Sequence, residues 1–81
     1  MKVCIRLFAV AKDIAGCDSL WLDLPEDSTV AHLRERLAAE MPTLAAALPQ
    51  VLFAIGNDYA RDDTVISERS EVACIPPVSG G

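Results

Sequence analysis

Residues 19–41 read SLWLDLPEDSTVAHLRERLAAEM, and within them the hydrophobic period changes from two to about 3.6. Before Pro25, Leu20, Leu22 and Leu24 share one face while Ser19, Trp21 and Asp23 share the other, the alternation of a strand. Pro25 ends that run. Beyond it, the side chain of Ser28 or Thr29 can cap a helix by accepting from its first unpaired N–H groups. Glu26 and Asp27 bring negative charge to the positive end of the helix dipole. Val30, Leu33, Leu37 and Met41 then fall on one stripe, and His32, Arg34, Glu35, Arg36 and Glu40 occupy the other faces. Pro42 stops the helix at about Met41.

Working outward, residues 2–8 also alternate: Val3, Ile5 and Leu7 face one way, and Cys4, Arg6 and Phe8 the other. Ala9 to Gly16 connects the first two strands and holds a helical turn, so the pair forms a hairpin with a long loop. Leu44 to Leu48 is alanine-rich helical-turn material closed by Pro49. Val51 to Ile55 is apolar throughout and reads as a third strand, central or well covered. Gly56-Asn57-Asp58 signals a turn, after which Tyr59 and Ala60 pair briefly. Residues 61–70 are loop-like, with Val65 and Ile66 expected to anchor in the core. Glu71 to Ile75 is the last strand; Val72 and Cys74 should face the helix, leaving Ala73 and Ile75 outward. One helix must cover one face of a single sheet, an α+β arrangement with no internal repeat or linker.

The 81 residues allow one domain, and a 52 % hydrophobic content is too high for intrinsic disorder. The net charge of −5 argues against binding nucleic acid or an anionic membrane, since no basic stripe exists to meet phosphates. No apolar run approaches the roughly 20 residues of a membrane span. Lys2 is followed by alternation, and Arg6 interrupts any signal-peptide core, so a cytoplasmic location is expected. Cys4, Cys17 and Cys74 are odd in number and lack CxxC spacing, as free thiols would be. With His32 the single histidine, no metal site is expected.

The last residues, Pro76-Pro77-Val78-Ser79-Gly80-Gly81, carry no charged side chain and lose bulk towards the end. Two prolines stiffen the root. Glycines without Cβ atoms let the tip enter a narrow channel in a partner enzyme. The reactive group at such a tip is a terminal carboxylate. It must be activated, for example as an acyl-adenylate formed on ATP, before a sulfur or amine nucleophile can displace AMP.

These features resemble the ubiquitin-like β-grasp sulfur carriers, most closely the small subunits of molybdopterin synthases. The segment Val3–Gly16 (VCIRLFAVAKDIAG) is similar to the first strand and helical turn of that family. Ser28–Ala38 (STVAHLRERLA) looks like its helix opening, and Asn57 stands where the family has Asn after the third strand. The most specific match is Glu71–Gly81, EVACIPPVSGG, against endings in PPVSGG or PPVTGG. Two departures leave the tail untouched: Arg69-Ser70 replaces a usual Gly-Asp, and Gly56-Asn57-Asp58-Tyr59 is compressed.

The resemblance implies a mixed sheet packed on one main helix, with a β-grasp domain over residues 1–77 and a reactive tail over 78–81. It implies that Gly81, preceded by Gly80, is adenylated by an ATP-dependent activating enzyme and converted to a thiocarboxylate by a sulfurtransferase. Sulfur would then pass to cyclic pyranopterin monophosphate in the large catalytic subunit of a heterotetramer. The chain would not be catalytic alone and would bind no cofactor, ATP being consumed by the activating enzyme. Docking would use Phe8, Tyr59 and Ile75 on the exposed sheet face, with Pro76, Pro77, Val78 and Ser79 entering the partner. A carrier for thiamine, cysteine or tRNA thiolation shares the tail chemistry. A ubiquitin-like protein modifier and a module with an inert tail stay open beside it.

Overall fold

Alternation at positions 2–7 and 19–23 produces β1 (Lys2–Leu7) and β2 (Ser19–Asp23), an antiparallel pair that sets Val3 opposite Leu22 and Ile5 opposite Leu20. The computed structural model describes residues 1–68 and 70–76. Beside β1, and parallel to it, runs β5 (Glu71–Ile75), with Ile5 opposite Val72 and Leu7 opposite Cys74. Antiparallel to β5 is β3 (Leu52–Ile55), which turns through Gly56 into β4 (Asp58–Ala60). The order across the sheet is β2-β1-β5-β3-β4. Helix α1 (Ala9–Ala15) links β1 to β2, and the longer α2 (Val30–Glu40) follows β2. The architecture is α+β, the mixed-sheet β-grasp arrangement that the resemblance implies.

One face of the sheet makes the core. Val3, Ile5, Leu7, Leu22, Phe53, Val72 and Cys74 are buried together with Val30, Leu33 and Leu37 of α2. Thr29, not Ser28, caps α2: its hydroxyl accepts from the His32 N–H at 3.4 Å, and its own N–H donates to His32 Nδ1 at 3.1 Å. This reciprocal box uses histidine where Glu or Gln is more usual. The buried Ser28 hydroxyl instead donates to the Pro25 carbonyl at 2.6 Å. The next two orphan donors of the helix, Val30 N–H and Ala31 N–H, bond the carbonyls of Thr64 and Asp62, both at 3.0 Å. The loop after β4 is thereby tied to the start of α2.

Several elements differ from the sequence expectation. The connection at 9–16 holds a seven-residue helix that ends on Gly16 at φ +75°, and β1 stops at Leu7, so Phe8 opens α1. The third strand is interior to the sheet, paired on both sides, but it is not covered on both faces. It lies next to the edge strand β4, Leu52 points outward at 52 % exposure, and β5 holds the centre. Of the two expected anchors only Ile66 is buried; Val65 pairs through its backbone with Thr29 and remains exposed. Met41 is the C-cap of α2 and is only partly buried. Arg34, read as a solvent-facing helix residue, turns inward. It donates to the Leu48 carbonyl and to the Val51 carbonyl at 2.8 Å, pairs with Asp62 at 3.0 Å, and lies 4.9 Å over the Phe53 ring. It adds a second donor to the Leu48 carbonyl, which already accepts from the Val51 N–H at 3.1 Å, and so ties α2 to the 3₁₀ turn Leu48–Gln50, the second after Pro42–Leu44, and to the entry of β3.

Candidate docking face and tail root

The sheet face turned away from α2 divides into two halves. Around the C-terminal end of β5, Phe8, Ala54, Gly56, Asn57, Tyr59, Ala73 and Ile75 line a shallow groove of about 400 Å³. Each residue arrives there by the period of two. Phe53 and Cys74 point into the core, so Ala54, Ala73 and Ile75 point out, and Tyr59 pairs with Ala54 on the same side. Gly56 adopts φ +65°, which returns the chain tightly into β4 and holds Tyr59 beside β3. Phe8 is 43 % exposed and Tyr59 70 % exposed, so both rings are open to a partner. The Phe8 N–H donates to the Cys74 carbonyl at 3.3 Å, which fixes Phe8 next to the point where β5 ends.

The expected docking residues Phe8, Tyr59 and Ile75 are therefore brought together. Pro76 is buried at the end of β5, so its ring packs on the body. Pro77, Val78, Ser79, Gly80 and Gly81, along with the boundary at residue 77, lie outside the described residues. Ala54, Gly56, Asn57 and Ala73 complete the groove. Alternation placed Ala73 outward, but reading β3 as uniformly covered concealed Ala54.

The second half of this face is mixed, with the exposed Trp21 beside an ion pair. Arg6 and Glu71 pair at 3.7 Å, both substantially exposed, which contributes little to stability by itself. A second groove, about 440 Å³, lies away from the tail root at the start of α2, lined among others by Pro25, His32, Glu35 and Arg36. Its charges are of both signs, and its described lining residues lie between Leu24 and Ala39, away from β5. Among the described residues, no three His, Cys, Asp or Glu side chains gather as metal ligands, and no helix is long and apolar enough to cross a membrane.

The three thiols stand in different environments. Cys17 is exposed, Cys4 is half-buried on the outer face, and Cys74 is fully buried. Burial pushes the Cys74 thiol up to about 11, while the nearby Arg34 charge pulls the other way. A sulfur-transfer thiol needs the opposite, a stabilised thiolate open to solvent. The sign also gives a pH dependence. Above the unfolded value near 9, the unfolded chain loses this proton while the folded chain keeps it, so stability falls as pH rises towards about 11. The loss should reach on the order of 2–3 kcal/mol. Urea unfolding from pH 8 to 11 measures it, and Cys74→Ala should remove most of the slope.

Residues 5–81 match the ThiS family over nearly the whole chain. The chain belongs to the ThiS family. Within it, this member is 41 % identical to a "Molybdopterin synthase sulfur carrier subunit" of Dictyostelium discoideum, covering 95 % of this chain and 93 % of that protein. It is 32 % identical to the protein of the same description in Arabidopsis thaliana, over 100 % of this chain and 84 % of the relative. Among solved structures it superposes on SAMP1 from Haloferax volcanii with a TM-score of 0.87, at 24 % identity and full coverage of both chains. It also superposes with a TM-score of 0.72, at 22 % identity and full coverage, on a chain from the complex of subunits 1 and 2 of the molybdopterin-converting factor from Helicobacter pylori. These two structural likenesses establish the ubiquitin-like β-grasp fold of this ThiS-family member.

Proposed function

We propose that this chain is the sulfur carrier subunit of a molybdopterin synthase, working through a thiocarboxylate at Gly81. The observation that carries the reading is the apolar groove of Phe8, Tyr59 and Ile75 at the end of the strand that runs into Pro76-Pro77-Val78-Ser79-Gly80-Gly81. The 41 % identical relative described as such a subunit supports it. In this reading the Gly81 carboxylate attacks the α-phosphate of ATP on an activating enzyme, forming an acyl-adenylate and releasing pyrophosphate. A sulfurtransferase delivers sulfur at the sulfide level, after a thiol has reduced any persulfide that carries it; the sulfur attacks the acyl carbon, the bond to AMP breaks, and AMP leaves. The groove then seats the body on the large catalytic subunit, and the tail carries its sulfur to cyclic pyranopterin monophosphate in the cytoplasm. The body holds no cofactor, since ATP is bound and spent on the activating enzyme. Two such carriers on a large-subunit dimer make a heterotetramer.

The first test is the intact mass of untagged protein from its own cells. A gain equal to one oxygen replaced by sulfur, mapped to Gly81, is expected. An isopeptide adduct at Gly81 would instead make it a protein modifier. The groove has its own test. Ile75→Asp should keep the fold, because Ile75 lies on the outer face, and should weaken binding to a purified large subunit on the order of 100-fold by calorimetry. An unfolded Ile75→Asp variant would show that the two faces of β5 are assigned the wrong way round.

A further inference from the structure

Trp21 is the single tryptophan of the chain, and it is 65 % exposed on the edge strand β2. The register fixes its direction. Leu22 opposite Val3 points into the core, so Trp21 opposite Cys4 points to the outer face, the face that carries the apolar groove. Cys4 in turn pairs with Glu71 of β5, so Trp21, Cys4 and Glu71 form one row across three strands. In the next row, Ser19, Arg6, Ala73, Ala54 and Tyr59 span all five strands. The two exposed aromatics Trp21 and Tyr59 thus stand on opposite edge strands of one face, separated by four strand spacings, about 19 Å across the sheet, and by one row along it. Between them lies the Arg6–Glu71 pair.

The groove residues alone are too few for a stable interface, which takes about 20–30 residues a side. A partner that fills the groove must spread over neighbouring surface, and the flat continuation of the same sheet leads to Trp21. We infer that Trp21 is a second anchor of the docking surface, seated by the same large-subunit partner that fills the Phe8–Ile75 groove. The partner surface that fits is one with two apolar depressions separated by polar groups able to meet the Arg6–Glu71 pair. This inference rests on the sulfur-carrier reading for the identity of the partner. Tryptophan is also among the residues that most often dominate binding energy when covered.

The test uses the full chain labelled with 5-fluorotryptophan, whose one ¹⁹F resonance reports Trp21 alone, titrated with an unlabelled purified large subunit of a molybdopterin synthase. Binding should shift the resonance and protect it from a solvent relaxation agent. Trp21→Ala should weaken binding at least about tenfold with an unchanged circular dichroism spectrum. Trp21→Phe should recover part of that loss. If Ile75→Asp abolishes binding while the resonance and the Trp21→Ala affinity stay unchanged, Trp21 is no anchor and the groove reading survives. If the unaltered chain shows no binding at all, the choice of partner fails, and this inference fails with it.

Discussion

Deleting Gly81 alone should abolish sulfur transfer while leaving the fold as stable as before. The new terminal carboxylate, on Gly80, would sit about 3.5 Å short of its former position. A displacement of even 1 Å in a reacting group can cost on the order of 100-fold in rate. The activating enzyme and the large subunit must both receive the carboxylate at a fixed depth, so the losses multiply. Stability should not follow, because glycine has no side chain to bury, and among the described residues the hydrophobic core runs from Val3 to Cys74. Single-turnover formation of molybdopterin with a reconstituted carrier measures the first effect, and urea unfolding the second. Product formed at the normal rate by the shortened chain would overturn the thiocarboxylate reading. A large drop in stability would show instead that the tail packs on the body.

The second large effect concerns the core. Leu33→Ala should destabilise the chain by about 2–5 kcal/mol. Leu33 is fully buried at the centre of the apolar stripe of α2, between Val30 and Leu37, where α2 covers the sheet. An 81-residue domain has only about 4–12 kcal/mol in total. The variant should therefore show a urea midpoint lower by about 1–3 M, and a measurable unfolded fraction at 37 °C. An unshifted midpoint would mean that the stripe does not meet the sheet.

Much of this was legible because two periods are written plainly into the chain. The alternation at 2–7, 19–23 and 71–75 produced three strands with their faces correctly assigned, and with them the outward positions of Phe8 and Ile75. The stripe Val30, Leu33, Leu37 produced the helix. What stayed hidden has specific causes. LFAI at 52–55 contains no polar residue, so nothing in it reveals that Leu52 and Ala54 face outward. Val65 and Ile66 are adjacent and equally apolar, and only the bridge to Thr29 decides which is buried. Arg34 looks like any surface arginine, since its role depends on carbonyls at Leu48 and Val51 that no local pattern predicts. The choice of Thr29 over Ser28 as cap turns on Asp27 taking φ +64°, which sends Ser28 inward. For the candidate site, Tyr59 entered through family resemblance across a compressed turn, and the pairing of Tyr59 with Ala54 gives it a geometric place.

The central position of β5 has a consequence for how the protein is made. Hairpins β1–β2 and β3–β4 are each built from nearby sequence, but within the sheet they are joined through residues 71–75, which pair with β1 on one side and β3 on the other. A nascent chain that has not yet released those residues holds two separate ribbons, and two-stranded ribbons in water are marginal. Folding must wait for a strand that pairs with one nearly 70 positions earlier, the long-range closure that slows folding most. Ribosomal synthesis and folding are therefore coupled at one point: the body closes only as the segment leading to the tail emerges. Fragments truncated before Glu71 lack the central strand, so they would be open to cellular proteases and would not compete, as folded decoys with no reactive end, for the docking partner.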